Sequence, residues 1–188
     1  MNITKEALHG EHIFLLHHFL SPEECATQIA RSEQSGFEEA TITTSGGALM
    51  NKSIRDNDRL IVDDHSLAEG WYQRAKPFLS AQLGDWRMVG FNERFRYYRY
   101  DVSQRFAPHY DGYFRRATGE QSQLTFMVYL NDDFAGGETK FYLDLGVPHL
   151  VVRPLAGAAL VFVHRQLHEG APVSEGRKYV LRTDVMYG

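Results

Sequence analysis

Apolar positions in the first half of the chain recur at helical intervals. One such stretch opens at Ser21-Pro22-Glu23-Glu24, with a serine N-cap, a proline at the first helical position and a glutamate three residues after the serine. This helix is predicted to run to about Ser35 and to end at Gly36. A second helix is predicted from Ser66 to Leu83, because the apolar residues of this stretch share one side.

From Gly90 onward the pattern changes to short strand-like runs separated by turns. His12 to Phe19 is one further apolar strand in the first half of the chain. The later strands are predicted at approximately 93–101, 107–112, 122–130, 138–142, 149–153, 158–164, 168–172 and 178–186. Short strands at this spacing, after a helical first half, predict an antiparallel barrel or jelly roll supported by helices. The alternation of strands and helices that is typical of a parallel sheet is missing.

Between the two predicted helices, the stretch from Thr41 to Arg59 is polar, contains glycine and has no sustained periodicity. It predicts a long loop, and loops of this length in compact domains are often functional. The part from about Ser45 to Arg59 is predicted to be a mobile lid. Its Arg55, Asn57 and Arg59 are the candidate substrate-binding residues.

The amino-acid composition is that of an ordinary soluble domain, and its net charge argues against nucleic acid and anionic membranes as partners. The chain has 188 residues, 43% of them hydrophobic and 23% charged, and a formal net charge of -4. Because there is no overall basic field, binding to nucleic acid or to an anionic membrane is not expected. No signal peptide or membrane span is recognised. Cys25 is the sole cysteine, which fits a reducing compartment and predicts a cytoplasmic location.

The first candidate for chemistry is an imidazole and a carboxylate two residues apart, His109 and Asp111. In an extended strand, residues i and i+2 point to the same face, roughly 6 to 7 Å apart. The two side chains are therefore expected to converge on one small ion. A third ligand has to come from a distant strand, where His164 and His168 are both available.

One of these two histidines is expected to bind the metal, because the preceding apolar run is β-like and a helical zinc motif does not fit it. His168 is preferred, since the turn after it brings a basic strand back beside it, and His164 is expected to end a strand or to support the ligands. Two imidazoles and one carboxylate suit an octahedral iron with open positions, although the ligand types alone leave zinc open. The glycine-threonine run Gly136-Gly137-Glu138-Thr139, the tyrosines before His109 and the later basic strand favour iron.

Three motif pieces carry a family resemblance: YRYDVSQRFAPHYDG, YLNDDFAGGETKFY and GAALVFVHRQLHEGAPVSEGRKYVLRTDVMY. From about His12 to Gly188, the chain resembles the Fe(II)/2-oxoglutarate-dependent dioxygenases, and within them the prolyl 4-hydroxylase-like branch. The resemblance implies a mainly β fold, with a double-stranded β-helix (jelly-roll) core on which N-terminal helices pack. The length of the chain predicts a single domain over 1–188, with helical support and the lid loop in 1–89 and the core in 90–188. The resemblance further implies that iron is held by His109, Asp111 and His168.

The resemblance also implies that 2-oxoglutarate chelates the iron and places its far carboxylate against a cation and hydroxyl groups. Lys178, ten residues after His168, matches the cationic position, and Tyr100 and Thr139 match the hydroxyl positions. A partly buried dianion needs such partners, because its desolvation is otherwise prohibitive. Strand parity puts Lys178 and Arg182 on one polar face of the last strand. At roughly 13 Å from Lys178, Arg182 is expected to pair with Asp184 or with the substrate.

The sequence departs from the collagen-type members of that branch at two positions. Asp184 stands where they often carry tryptophan, and Arg105 stands where they often carry an aromatic residue. These differences leave the iron chemistry intact but leave the substrate open among a peptidyl proline, another protein side chain and a small molecule.

The predicted function is a hydroxylase that consumes O2 and 2-oxoglutarate, releases succinate and CO2, and hydroxylates an unactivated C–H bond. Ascorbate is the candidate reductant, and no side chain is expected to act as a general base. Two alternatives use the same barrel. A metal-dependent hydrolase on a cupin-like barrel would turn over without 2-oxoglutarate or O2, and a non-catalytic ligand-binding module would be favoured by a missing ligand, whereas all three are present.

Overall fold

The computed structural model describes residues 2–40, 42–44, 47–49, 51–143 and 149–188. The helices in these ranges are α1 (Pro22–Ser35), α2 (His65–Ala75) and a 3-10 helix (Lys76–Phe78). The strands, numbered along the chain, are β1 (Thr4–His9), β2 (Ile13–His17), β3 (Glu38–Glu39), β4 (Ile42–Thr44), β5 (Gly47–Leu49), β6 (Asp58–Asp63), β7 (Gln82–Leu83), β8 (Trp86–Phe91), β9 (Arg94–Tyr100), β10 (Phe106–His109), β11 (Gln121–Tyr129), β12 (Ala135–Gly136), β13 (Thr139–Phe141), β14 (Leu150–Val152), β15 (Ala159–Val163), β16 (His168–Gly170), β17 (Val173–Glu175) and β18 (Lys178–Tyr187). None of the helices in the described ranges is long and apolar enough to cross a membrane.

Helix α1 has the predicted bounds because its caps form as the sequence indicates. The Ser21 hydroxyl accepts a hydrogen bond from the Glu24 amide at 3.2 Å, and the Glu24 carboxylate accepts one from the Ser21 amide at 2.8 Å. This reciprocal pair satisfies two amides that the first helical turn leaves unpaired. Cys25 lies in α1 and is 3% exposed, as expected for a small residue that fills the core.

Helix α2 is shorter than predicted. The carboxylate of Asp64 caps it by accepting a hydrogen bond from the Leu67 amide at 2.9 Å. The α-helix ends at Ala75, because Pro77 lacks the N–H group that would continue the helical hydrogen bonds. The predicted continuation to Leu83 is wrong, since that residue lies in β7, which pairs with β8.

The core is built from two antiparallel sheets. The larger runs in the order β1-β2-β15-β11-β18-β9-β6-β3, with β8 also paired to β18, and the smaller runs β10-β16-β13-β14. Alternation along β11 sends Phe126 into a core shared with the helices and Tyr129 into a second core shared with the smaller sheet. Likewise, β18 sends Leu181 to the first core and Val180 to the second. The mainly β, double-stranded β-helix fold is confirmed.

The described residues between 42 and 59 are more ordered than the predicted loop. β4 and β5 pair in antiparallel fashion, and β6 starts at Asp58 and pairs with β9 in the large sheet. The prediction of a long irregular loop is therefore wrong over these strands. Ser45 and Gly46, with which the predicted lid begins, lie outside the described residues.

Candidate metal centre

The three predicted metal ligands come together where the smaller sheet meets β11 and β18. His109 ends β10, and His168 opens β16 directly opposite it in the antiparallel register. Asp111 lies two residues beyond the end of β10, in irregular backbone. The expectation that His109 and Asp111 share one extended strand is therefore wrong, and the convergence of their side chains has another cause.

The ligand atoms of His109, Asp111 and His168 all lie within 4.8 Å of one another. The Nε2 atom of His109 is 3.7 Å from Asp111 Oδ1, and the Nε2 atom of His168 is 3.7 Å from Asp111 Oδ2. Such spacing leaves room for one ion bound by all three residues, and the donor set is that of a facial triad.

Backbone carbonyls orient both imidazole rings. Nδ1 of His109 lies 2.8 Å from the carbonyl oxygen of Ala107, and Nδ1 of His168 lies 2.9 Å from that of Gln166. A carbonyl only accepts hydrogen bonds, so each Nδ1 carries the proton and each Nε2 keeps its lone pair towards the centre of the cluster.

The protonation states also suit a cation. Burial lowers the pKa of His109 to about 3 and also lowers the pKa of His168, so both rings are neutral at pH 7. Burial opposes ionisation of Asp111, but Arg182 and the two histidines outweigh it and hold the pKa of that carboxyl well below its usual range. Two neutral imidazoles and one carboxylate therefore face each other, and this set fits Fe(II).

Asp111 is fixed through both of its oxygens. Thr125, on β11, donates to Oδ2 at 2.6 Å, and Arg182, on β18, donates to Oδ1 at 2.7 Å. Arg182 also donates to Asp184 at 3.0 Å, and Asp184 in turn accepts from Arg96 at 3.2 Å. These contacts with the large sheet hold the carboxylate in place although its own backbone is irregular.

Substitution Arg182→Gln is expected to lower the free energy of unfolding of the metal-free protein by about 3 to 5 kcal/mol, because it removes the charge that pairs with two buried carboxylates. Urea unfolding at pH 7 measures this effect. Arg94→Gln is the control, since Arg94 pairs with Asp63 at the surface and its loss is expected to cost less than about 1 kcal/mol. Similar small losses in both variants would contradict the role of Arg182.

The residues predicted to bind 2-oxoglutarate line the same cavity as the triad. The cavity wall includes Tyr100, Thr139 and Lys178 as well as the three metal ligands. The cavity has a volume of about 40 Å³.

Lys178 is a buried cation without an ion-pair partner among the described residues. It is 3% exposed, and its Nζ donates to the carbonyl of Gly137 at 2.6 Å. Burial lowers the pKa of Lys178 to about 7. By contrast, the side chain of Arg177 is 45% exposed and pairs with Asp101 at 2.6 Å. The alternation of side chains along β18 was predicted to point Lys178 inward and Arg177 outward, and this prediction is confirmed.

Gly137 allows the lysine to approach the backbone. Its φ is +67°, a conformation that residues with a Cβ rarely adopt, and a Cβ here would lie 3.1 Å from Cδ of Lys178. Nearby, the hydroxyls of Thr139 and Tyr129 share a hydrogen bond of 2.7 Å. Burial raises the pKa of Tyr100 to about 12, so its hydroxyl keeps its proton and remains a hydrogen-bond donor.

The candidate substrate residues do not line this cavity directly but lie behind the side chains that do. Arg55 and Asn57 are buried, and Nε of Arg55 donates to Oδ1 of Asn57 at 2.7 Å. The guanidinium of Arg55 lies 4.4 Å from the ring centroids of Tyr98 and Phe106, which do line the cavity. Arg59 lies on β6 opposite Tyr98. Arg55 and Asn57 are therefore part of the packed wall behind the site, not of an exposed lid.

His164 does not join the metal cluster. It is 6% exposed, and its Nε2 is 3.6 Å from Oδ1 of Asp184, the carboxylate that pairs with Arg182. Sequence reasoning missed the contacts of Thr125 and Arg182 with Asp111. Parity along β18 was the one signal available, since it put Arg182 on the same face as Lys178. Its expected pairing with Asp184 is present in the structure.

The sequence of the barrel strands matches a known family model. Residues 95–183 match the model of the 2OG-Fe(II) oxygenase superfamily, and this range contains all three candidate ligands. This match confirms the predicted resemblance to 2-oxoglutarate-dependent dioxygenases.

Curated relatives of this chain are prolyl 4-hydroxylases, as the predicted resemblance implies. A probable prolyl 4-hydroxylase 3 from Arabidopsis thaliana is 26% identical over 195 residues, which cover 88% of this chain and 66% of the relative. The chain thus spans about two thirds of the length of that curated relative.

Solved structures share the fold. A viral collagen prolyl hydroxylase from Paramecium bursaria Chlorella virus-1, in complex with 2-oxoglutarate, has a TM-score of 0.64 at 20% identity and covers 94% of this chain and 97% of its own. A prolyl hydroxylase from Trichoplax adhaerens, in complex with a peptide of the hypoxia inducible factor, has a TM-score of 0.70 at 17% identity. That match covers 93% of this chain and 83% of the other.

Proposed function

We propose that this protein is an Fe(II)- and 2-oxoglutarate-dependent hydroxylase of an unactivated C–H bond. The observation that carries the proposal is one cavity whose wall holds both a two-histidine, one-carboxylate cluster and a buried lysine that has no ion-pair partner among the described residues. The cluster of two histidines and one carboxylate suits a metal ion with open coordination positions. The buried lysine suits one carboxylate of a dianion, such as 2-oxoglutarate, whose other end reaches that metal ion.

In this proposal His109, Asp111 and His168 hold the iron, and the carbonyls of Ala107 and Gln166 keep the two Nε2 atoms directed at it. When bound, Fe(II) and 2-oxoglutarate supply the oxidising chemistry with O2, and 2-oxoglutarate leaves as succinate and CO2. The protein contributes ligand geometry, a buried cavity and fixed charges. No side chain is assigned as a general base.

Lys178 is the proposed partner of the distal carboxylate of 2-oxoglutarate, with Tyr100 and Thr139 as hydroxyl donors. The lysine is supported by its burial and by its place on the cavity wall beside the triad. A carboxylate that enters this cavity gains a charge-assisted hydrogen bond and gives the lysine the anionic partner it needs.

The affinity for 2-oxoglutarate is expected to fall as the pH rises above about 7. Below that pH, Lys178 already carries its proton in the free protein; above it, binding of the dianion must take up a proton, because the complex requires the charged lysine. The dissociation constant should then rise by up to about tenfold per pH unit.

Calorimetric titrations of 2-oxoglutarate at pH 6, 7, 8 and 9, in buffers of different ionisation enthalpy, measure both the affinity and the proton uptake. Lys178→Arg is the matched control, because arginine stays charged over this range and should flatten the pH dependence. A wild-type affinity that does not change between pH 7 and 9 would contradict the assignment of Lys178.

For the substrate we propose a side chain of a peptide or protein, with prolyl residues as the first candidates. The relatives in support are prolyl hydroxylases, one of them solved with a peptide bound. Arg55, Asn57 and Arg59 are the candidate substrate residues. Ascorbate as a reductant and a cytoplasmic location are further proposals, which rest on the family resemblance and on the single cysteine. The match to the 2OG-Fe(II) oxygenase model does not favour the hydrolase or the non-catalytic module.

Screening Fe(II)-loaded protein for substrate-stimulated formation of succinate tests this assignment. Proline-containing peptides and small-molecule pools are compared side by side. We expect a peptide to raise the rate above that of the substrate-free reaction. Stimulation by small molecules alone would overturn the peptide assignment and leave the hydroxylase assignment in place.

A further inference from the structure

Guanidinium groups gather on the side of the large sheet that faces the metal centre. The antiparallel register places Arg182 opposite Arg96 and Lys178 opposite Tyr100, and on the next strand it places Arg59 opposite Tyr98. Residues that lie opposite each other on neighbouring strands point to the same face of a sheet, and so does every second residue along one strand. Arg59, Arg96, Lys178 and Arg182 therefore all lie on one side of the sheet. They occupy the wall beside the proposed iron and 2-oxoglutarate sites.

A further cation comes from the segment before β6. Arg55 is 5% exposed, and its guanidinium packs on the rings of Tyr98 and Phe106. Its Nε reaches only the neutral amide of Asn57, and its Nη2 has no hydrogen-bond partner among the described residues. A buried charge that is neither paired nor fully hydrogen-bonded is costly and marks a position where a ligand supplies the partner.

The carboxylates on this face are already shared among other cations. Asp184 accepts from Arg96 and Arg182, and Asp111 accepts from Arg182. Two carboxylates therefore serve two guanidinium groups, and neither is within ion-pair distance of Arg55. Burial opposes ionisation of Tyr98, yet Arg55, Arg182 and Arg96 together lower the pKa of its hydroxyl, as expected where cations are in excess.

Binding of Fe(II) and 2-oxoglutarate does not remove this excess of positive charge. Fe(II) brings two positive charges and 2-oxoglutarate brings two negative charges, so the sum around Arg55 is unchanged. The side chain of Arg96 is 21% exposed, and Ile61, opposite it on β6, is 43% exposed, so this end of the face is open to solvent. A second anion is accommodated most favourably there.

We propose that the substrate carries a carboxylate that binds Arg55 and Arg96 when its reacting C–H bond lies at the metal centre. The inference rests on the proposed function and names the substrate class of that same site. Phe106 contacts Arg55 and also stacks on the ring of His109, with centroids 3.5 Å apart. The recognised carboxylate therefore lies close to the reacting atom, within about two residue lengths of an extended chain.

The guanidinium fork suits a planar carboxylate, which it binds through two parallel hydrogen bonds. A neutral carboxamide of the same shape would leave the buried charge of Arg55 unpaired. A site built to bind a charged or hydrogen-bonding group discriminates strongly against a ligand of the same shape that lacks this group. Its discrimination between ligands that differ only in the size of an apolar group is weaker. The substrate is therefore expected to be acidic, either as a peptide with glutamate or aspartate beside the target residue or as a free small-molecule acid.

The test uses matched pairs of probes that differ only by carboxylate against carboxamide. One pair consists of pentapeptides with a central proline flanked by glutamates or by glutamines; the other is N-acetylproline and its amide. Binding to protein loaded with Mn(II) and 2-oxoglutarate is measured by calorimetry. We expect the acid member of at least one pair to bind about tenfold more tightly or better, and the pair that responds identifies a peptide or a small-molecule source.

Substitutions then show which residues recognise the carboxylate. Arg55→Gln and Arg96→Gln should each remove most of the preference for the acid, whereas Arg94→Gln should retain it, because Arg94 is on the same strand but pairs with Asp63 at the surface. If Arg55→Gln fails to fold, Arg55→Lys, which keeps the charge but not the fork, should reduce the preference severalfold. Equal binding of acid and amide in both pairs, or a preference that survives in Arg55→Gln and in Arg96→Gln, would overturn the proposal.

The titration of 2-oxoglutarate separates failure of this inference from failure of the proposed function. It is carried out first, on the same metal-loaded protein. If 2-oxoglutarate binds and the acid preference is absent, the carboxylate inference alone fails. If 2-oxoglutarate does not bind, the proposed hydroxylase function fails.

Discussion

Replacing His168 by alanine is expected to abolish both tight Fe(II) binding and the decarboxylation of 2-oxoglutarate. The substitution removes one of three ligand atoms that lie within 4.8 Å of one another and leaves His109 and Asp111 as an incomplete set. Metal content after anaerobic loading and desalting measures the first effect, and succinate formation measures the second. We expect a loss of at least about 100-fold in affinity, as for the loss of a ligand or of the groups that orient it.

His164→Asn is the matched control, because His164 lies four residues from His168 and is similarly buried but contacts Asp184 instead of the cluster. Its metal affinity should stay within severalfold of the wild-type value. Full metal binding by the His168→Ala protein, or equal losses in the two variants, would contradict the assignment of the third ligand.

Replacing Lys178 by alanine is expected to raise the 2-oxoglutarate requirement by one to two orders of magnitude, which is about 1.4 to 2.8 kcal/mol. The variant leaves the distal carboxylate of the bound dianion without its buried cation. Titration of 2-oxoglutarate into metal-loaded protein measures the change directly, and the substrate dependence of succinate formation measures it in turnover.

Arg177→Ala is the neighbouring control, since Arg177 points away from the cavity and pairs with Asp101 at the surface. It should change the 2-oxoglutarate requirement little. A larger effect from Arg177 than from Lys178 would mean that the carboxylate binds on the opposite face of β18.

Local chemistry was sufficient to predict α1 and most of the barrel strands. The serine, proline and glutamate at the start of α1 determine its first turn, and Gly36 ends it. The alternation of side chains along β18 also predicted the position of Lys178. One face of the strand is apolar and packs in the core, and Lys178 lies on the opposite, polar face. Here the local preferences and the tertiary environment agree, and consistent signals of this kind are the ones that sequence reasoning captures.

The departures arise where tertiary pairing overrides a local pattern. The helical spacing from Ser66 to Leu83 continues past Pro77, yet the chain turns there and β7 pairs with β8. The polar stretch before Arg59 has no strand-like alternation, but the edge of β9 recruits Asp58–Asp63 as a neighbour. The partner of β6 is distant in sequence, so no local pattern encodes that pairing, whereas β7 pairs with β8 across the short turn that follows it.

The metal centre was located by its residues but not by its geometry. The i, i+2 spacing of His109 and Asp111 suggested a shared strand face, whereas the strand ends at His109 and the aspartate is held by Thr125 and Arg182 from the large sheet. That support depends on where an irregular segment crosses β11 and β18, which sequence spacing does not specify. The same limitation hid Arg55, whose burial between Tyr98 and Phe106 turned a predicted lid residue into part of the wall.

Admission of O2 to anaerobic protein loaded with Fe(II) and 2-oxoglutarate tests the central claim most directly. Succinate and the remaining 2-oxoglutarate are quantified over time, with Fe(II), 2-oxoglutarate or O2 omitted in turn and with Zn(II) in place of iron. The hydroxylase assignment predicts one succinate for each 2-oxoglutarate consumed, only when all three components are present, and none with Zn(II). No succinate from the complete mixture, or substrate turnover that proceeds with Zn(II) and without 2-oxoglutarate, would contradict it.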